Sequence, residues 1–232
     1  MAARLATRRG LIVIAVAGLA LLAAYMFWFR DSSLVAVDEV TVEGVTANEQ
    51  EITAALEQVG LDQSTLHVDD DELAEAVAGF PTVASIRADA TIPDKLKIIV
   101  TERPPVAVAK VEGQAVAVSG DGYVLPGISP DGELPRIESS GAPDGRLEEQ
   151  GAAQAAILGA APEALQQSLL SASWSDEEDG VVVELEGAPE LRFGDGSDAE
   201  DKWQAVAVVL ADPDANVSSY VDVSIPERTV SD

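Results

Sequence analysis

The side chains that usually carry chemistry are sparse in this chain, and they lack partners at workable spacing. There is no cysteine, so thiol nucleophiles, cysteine metal sites and disulfides are ruled out. The single histidine, His67, sits in a short polar link with no second ligand or base beside it, and reads as a surface or packed residue. No Ser-x-x-Lys or Gly-x-Ser-x-Gly pattern supplies an activated serine. Carboxylates abound. The run Asp69-Asp70-Asp71-Glu72 has the composition that complements the positive end of a helix. Asp212, Asp214 and Asn216 have the alternate spacing of a calcium loop. The pattern then fails, with Val217 where the loop needs glycine and Val223 where it needs glutamate. No cofactor, metal or small-molecule substrate is expected. The chemistry left is recognition of other proteins.

The best candidate for recognition is the last strand-like segment. Val221, Val223 and Ile225 alternate with Tyr220, Asp222 and Ser224, a period-two pattern. Pro226 follows, then Glu227 and Arg228. Proline cannot donate to a ladder and belongs at a strand end or a sheet edge. An edge strand carries unpaired backbone groups and can receive another chain by β-augmentation. The nine residues Tyr220 to Arg228 are therefore candidate partner-binding residues. The alternative is a solvated or internal strand. Trp203, on the preceding helical stretch, reads either as core or as part of the same surface.

Composition limits the partners. The 232 residues carry a net charge of −27, with 41 acidic and 14 basic side chains. Four of the basic ones (Arg4, Arg8, Arg9, Arg30) precede residue 31 and no acidic residue does, so the remainder is more acidic still. Such a surface argues against nucleic acid or anionic lipid as a direct ligand. Residues Leu11 to Phe29 contain no charge. As a helix they would span roughly 28 Å, close to the hydrocarbon thickness of a bilayer. Arginines precede the run, and Tyr25, Phe27, Trp28 and Phe29 close it. The expectation is one transmembrane helix with residues 1–10 in the cytoplasm. A cleaved signal peptide is the rival, but bulky aromatics stand where its small cleavage-site residues would be.

Beyond the anchor the pattern divides in two. In 35–103, Val37, Val40 and Val42 mark a strand ending at Gly44. Thr46 with Glu49 gives a capping-box signature, and Ile52, Ala55, Leu56 and Val59 form a helical stripe that Gly60 would stop. Asp69 with Glu72 starts a second helix through Leu73, Val77 and Phe80, ended by Pro81. Ala84, Ile86, Ala88, Ala90 and Ile92 then alternate with polar residues, Pro93-Asp94 turns the chain, and Leu96, Ile98 and Val100 return. The order is β-α-α-β-β, an α+β layer with both helices on one face. In 104–232, strands joined at Glu112-Gly113 and Asp121-Gly122 lead into a loop over 126–146. A helical stretch over 148–171, interrupted at Pro162, follows. Strands at Val181–Leu185 and Leu191–Phe193 come next. Then comes a helix capped by Asp198 with Trp203, Val206, Ala207 and Leu210 on its apolar face, and the last strand. The expectation is a mixed β-domain with flanking helices.

Particular phrases carry a resemblance. VDEVTVEGV (37–45), GFPTVASIRADATIPDKLKIIVTERPPVA (79–107), DGYVL (121–125), the Leu134-Pro135-Arg136-Ile137 step and the run from LRFG to YVDVSIPER resemble the FtsQ/DivIB family of bacterial division proteins. That resemblance implies a POTRA domain over 35–103 and an FtsQ-type β-domain over 104–232. It implies a non-enzymatic, single-pass divisome scaffold at the septum of the cell (inner) membrane, of type II topology, with its C-terminal domains extracytoplasmic. FtsB-like and FtsL-like division proteins are the implied partners at 220–228, together with other divisome components and control of septal peptidoglycan synthesis. It also implies a recruitment role for the POTRA domain, for which Arg87, Lys95 and Lys97 are the exposed candidates. The alternatives are a POTRA-bearing secretion or assembly factor, which usually has several POTRA units or a terminal barrel, and an envelope enzyme, which needs a nucleophile or metal. Dispersed acidity with few lysines also points to a salt-rich habitat, where counter-ions screen self-repulsion. Thermal melts in rising potassium or sodium chloride are expected to move upward; melts that stay flat or fall contradict the habitat reading.

Overall fold

The computed structural model of the chain describes residues 2–25, 35–130, 134–139, 141–212, 219–225 and 230–231. They divide into two units, Met1–Glu102 and Arg103–Asp232. Helix α1 (Ala2–Ala24) opens the first. Its apolar side chains Val13, Ile14, Val16, Leu19, Leu21 and Leu22 are each more than half exposed. The apolar run Leu11–Ala24 covers about 21 Å of helix axis, short of the ~30 Å of a hydrocarbon core. Among the described residues no helix is long and apolar enough to cross a membrane. The expected span continues to Phe29, and its residues 26–29 lie outside the described ones.

The rest of the first unit follows the β-α-α-β-β order: β1 (Glu39–Glu43), α2 (Glu49–Leu61), α3 (Asp70–Val77), β2 (Val83–Thr91) and β3 (Lys95–Glu102). Strand β3 is central, antiparallel to β2 and parallel to β1. Alternation sends Leu96, Ile98 and Val100 of β3 to one face, where Ile52 and Leu56 of α2 and Leu73 and Val77 of α3 bury against them. Each such side chain gains about 1.5–3 kcal/mol over remaining exposed, which holds both helices to that face. A bulge between Val83 and Ser85 shifts the start of β2, so Val83 is buried and the expected inward Ala84 is exposed. Ile92 falls in the turn and is exposed.

The helix starts divide between expectation and correction. At α3, Asp69 Oδ1 accepts the N–H groups of Asp71 and Glu72, both at 3.1 Å. Gln63 completes the arrangement, accepting from the Asp69 N–H at 2.9 Å and donating to the Glu72 carboxylate at 2.6 Å. At α2 the Thr46/Glu49 box does not form. Asn48 is the N-cap, in the left-handed region and without a side-chain cap bond. Thr46 and Ala47 instead donate their backbone N–H groups to Glu102 Oε1 at 2.8 and 2.9 Å, and the Thr46 hydroxyl donates to Glu102 Oε2. Gly60 does not stop α2. It is buried inside the helix, where a Cβ would stand 3.0 Å from Val40 and 3.3 Å from Leu96, so it lets α2 approach the sheet.

The second unit is one eight-stranded sheet with helices on one face. Its elements are β4 (Pro105–Val111), β5 (Gln114–Ser119), β6 (Arg136–Ile137), α4 (Glu149–Gly159), α5 (Glu163–Gln166), β7 (Leu169–Ser175), β8 (Gly180–Leu185), β9 (Glu190–Gly194), α6 (Ala199–Ala211), β10 (Tyr220–Asp222) and β11 (Val230–Ser231). The spatial order is β11-β10-β9-β8-β7-β6-β4-β5. Glu112 and Gly113 both have positive φ, as a two-residue hairpin turn requires. Two expectations fail. The 126–146 loop contains β6, which runs parallel to β4 and β7 and joins them. The helix expected over 148–171 ends at Gly159. Only a single turn, α5, follows Pro162, and Leu169 to Ser171 already belong to β7. Alanine and serine tolerate either state; pairing with β8 decides this segment. The core joins Ala155, Ile157 and Leu158 of α4 and Trp203 and Val206 of α6 to Ile137, Val181, Val183, Leu191, Phe193 and Val221 of the sheet.

Partial burial pushes the Glu102 carboxyl up, but the bonds from Thr46 and Ala47 outweigh it and hold it below its ordinary value. A lowered folded value means that stability is present above the unfolded value and is lost as pH falls. Glu102→Ala is expected to destabilise the first unit by about 1–3 kcal/mol in urea unfolding. Glu102→Gln is expected to flatten the loss of stability below roughly pH 4.5; a variant with the unaltered pH profile contradicts the assignment.

Candidate functional site

Strand β10 holds the expected recognition segment, but in a shorter form. It ends at Asp222 because the Asp222 carboxylate accepts the Ser224 N–H at 2.9 Å, an Asx turn that bends the chain at Ser224 and Ile225. Val221 and Val223 are fully buried in the core, so neither offers a surface. Ile225, expected on their face, is turned out of it and is 52% exposed. Tyr220 is half-buried, with the Arg192 guanidinium 4.1 Å from its ring centre. Arg192 is held in turn by Glu178 and Glu190, both at 2.8 Å. Pro226, Glu227 and Arg228 lie outside the described residues. Nor is β10 an outermost strand: it pairs with β9 on one side and with β11 on the other.

Of the two readings of Trp203, core holds and the partner-binding surface does not. The residue is 1% exposed, its Nε1–H donates to the Ile157 carbonyl at 2.7 Å, and its ring centre is 4.8 Å from that of Phe193. The face of α6 is rotated from the expected one. Lys202, Trp203 and Val206 are buried, while Ala207 and Leu210 are exposed and Val208 is the most open. Lys202 had no signal in the sequence, since a lysine beside an apolar stripe usually snorkels to water. Here its Nζ meets the Asp195 carbonyl at 3.0 Å and Oδ1 at 2.9 Å. The Ser197 hydroxyl and then Lys202 donate to Asp195, pulling its carboxyl down to about 2. This closes the turn into α6, whose own N-cap, Asp198, makes no side-chain cap bond.

In the first unit Arg87, Lys95 and Lys97 do share one face, the side of the sheet opposite α2 and α3. Each is exposed and each meets an acid: Arg87 with Asp89 at 3.0 Å, Lys95 with Glu39 at 2.6 Å, and Lys97 with Glu43 at 2.9 Å. The face is therefore a mixed-charge lattice rather than a basic patch. Bonding to Glu39 raises the Lys95 pKa.

Little in the described residues resembles a reaction centre. His67 is exposed, and no group of three or more His, Cys, Asp or Glu side chains stands together as a metal site would require. A groove of about 740 Å³ lies between the ends of β4, β6 and β7 and the start of α4. Glu138, Glu148 and Asp176 flank it together with Trp174 and Lys110. Its hydroxyl, Ser139, donates to the Gly141 carbonyl at 3.1 Å, which is not an activated nucleophile. The Asp212, Asp214 and Asn216 spacing falls largely outside the described residues.

Residues 35–103 match the family described as POTRA domain, FtsQ-type, which makes the first unit's three-stranded layer a POTRA domain. The chain is also 29% identical over 224 residues to the cell division protein FtsQ of Anaeromyxobacter sp. (strain K), covering 88% of this chain and 71% of that one. By these two findings the chain is similar to the FtsQ/DivIB family of bacterial cell division proteins. The solved extracytoplasmic domain of DivIB from Geobacillus stearothermophilus is a more distant likeness, at 17% identity and a TM-score of 0.34. It covers 51% of this chain and 99% of that one.

Burial separates the recognition segment into two kinds of position. Val221→Asp is expected to unfold the second unit, because it places a charge in a closed apolar face. Ile225→Glu is expected to shift the melting free energy by less than about 0.5 kcal/mol. Circular-dichroism melts of the two variants check this; equal losses would contradict the burial pattern.

Proposed function

We propose that this protein is a non-enzymatic scaffold of the division machinery, anchored by one membrane helix over Leu11–Phe29. Its N-terminus is cytoplasmic and both folded units are outside the membrane at the septum. There it holds FtsB-like and FtsL-like proteins, with other divisome components, and so helps control septal peptidoglycan synthesis. The observation that carries this reading is the similarity to FtsQ, because at 88% of the chain it runs across both units. The site features agree with it. The groove presents carboxylates and an unactivated hydroxyl, whereas the turn after β10 presents an exposed Ile225 on a strongly acidic chain, a contact without chemistry. Confinement to the membrane plane raises the effective concentration of partners that are also membrane-bound, so that a short strand contact suffices. Arg87, Lys95 and Lys97 form a second, weaker contact for recruitment, one that must exchange existing ion pairs for new ones.

Co-purification tests the site. Ile225→Glu in the full chain is expected to abolish capture of an FtsB/FtsL-like pair while the melting curve stays that of the parent protein. Unchanged capture by the folded variant counts decisively against the segment around β10.

A further inference from the structure

The groove beside α4 has no part in the segment around β10, and strands β8 and β9 stand between the two. Strands β4, β6 and β7 run parallel to one another. Lys110, Ile137 and Trp174 stand at their carboxyl ends or one residue short of them. The groove therefore opens where sheets with parallel strands usually take ligands. Its volume of about 740 Å³ is that of a ligand pocket, for which roughly 300–1,000 Å³ is usual.

Its lining holds polar groups that the fold leaves unused. Glu148 and Glu149 complement the start of α4. Glu138 and Asp176 have no such task. Both are exposed, and neither carboxylate has an ion pair or hydrogen bond among the described residues. Glu138 is nonetheless held in place. Gln154, 1% exposed, accepts the Glu138 N–H and donates to the Glu138 carbonyl, both at 2.9 Å. The second amide hydrogen of Gln154 is left without an acceptor among the described residues. Trp174 is half-buried, and its Nε1–H also lacks an acceptor there, whereas that of Trp203 is spent on the Ile157 carbonyl. Donors placed this way usually find partners.

These groups set the chemistry of a ligand. Four carboxylates line the groove against one lysine, Lys110, so the ligand is a cation. The carboxylates do not gather as a metal ion would require, so the cation is broad rather than a point charge. A guanidinium fits: it is planar and weakly hydrated, stacks on an indole, and meets carboxylates through several N–H groups. The spare donors call for a carbonyl, which a peptide carries and a free guanidine lacks. We propose that the groove binds an extended, arginine-bearing segment of a partner protein other than the pair held around β10. The guanidinium lies over Trp174 between Glu138 and Asp176, and a peptide carbonyl takes a spare N–H. The net charge of −27 draws such a segment in and makes the contact sensitive to salt.

The test is a titration of the full chain in detergent at low ionic strength, followed by NMR of its tryptophan indole N–H signals. The probes are acetyl-Gly-Arg-Gly-amide, the same peptide with neutral citrulline for arginine, and agmatine, a free guanidine. The arginine peptide is expected to move the Trp174 signal and not that of Trp203. It is expected to bind at least fivefold more tightly than either other probe. Glu138→Gln with Asp176→Asn is expected to weaken it at least fivefold, and Lys110→Ala to tighten it at least twofold. Should the double variant fail to fold, the three probes and Lys110→Ala decide. No shift at Trp174, equal binding of the citrulline peptide, unchanged binding by the folded double variant, or no tightening by Lys110→Ala overturns the site. Agmatine binding as tightly as the arginine peptide overturns the assignment to a protein segment. None of these outcomes touches the scaffold reading, which the Ile225→Glu capture tests by itself.

Discussion

The Glu102 carboxylate carries the first unit. Where β1 ends, Gly44 passes the end of β3 so closely that a Cβ would stand 2.2 Å from the Val100 carbonyl oxygen, and its φ of +87° suits glycine. The loop that follows has two N–H groups and a hydroxyl to satisfy before α2 begins, and all three point at Glu102. Without that carboxylate the parallel pairing of β1 with β3 would end in unsatisfied donors. The next residue does the same work in the second unit. Arg103 Nε donates to Asp121 at 2.7 Å, and its guanidinium lies 4.4 Å from the Tyr123 ring centre. Burial raises the Asp121 carboxyl, but the Ser119 hydroxyl and Arg103 bring it below its ordinary value. The Glu-Arg-Pro-Pro phrase thus has a physical reason. Consecutive residues each tie down a loop of their own unit, and Pro105 then begins β4.

Cations are scarce on this chain, and several of those described are spent locally. Lys95 and Lys97 neutralise Glu39 and Glu43 across neighbouring strands; Arg192 gathers Glu178, Glu190 and Tyr220; Lys202 is buried against Asp195. Exposed pairs of this kind are individually weak, typically below about 1 kcal/mol. Their effect is to leave the surface acidic and the folded units internally compensated. On the proposed scaffold reading, such an acidic surface would discriminate by shape more than by attraction, which gives the exposed Ile225 after β10 its weight.

Much of the architecture was legible in the sequence where periodicity was strong. Leu96, Ile98 and Val100, Val181, Val183 and Leu185, and the Asp69 cap all stand where their spacing requires. Misreadings arose where a residue type is ambiguous. Gly60 can end a helix or let it approach a sheet, and only Val40 and Leu96 across the gap decide. Leu-Leu-Ser-Ala-Ser-Trp-Ser at 169–175 has no clear period, and β6 is too short to have one. The site was half legible. Alternation placed Tyr220 to Ile225 on a strand, but the Asx turn at Asp222 and the covering pair Val230–Ser231 are long-range or local polar effects that alternation does not report. Trp203 was ambiguous for the same reason that aromatics usually are, having both a large apolar body and a polar tip.

If the chain is a membrane-confined scaffold, its working surface is the end of the sheet around β10, not a cavity. Hydrogen–deuterium exchange of the full chain, alone and with the FtsB/FtsL-like pair, tests this most directly. The amides of Tyr220 to Ile225 are predicted to slow in the complex more than those of any other described segment. Protection confined to the mixed-charge face of β2 and β3, or to the groove beside α4, with 220–225 unchanged, would contradict it.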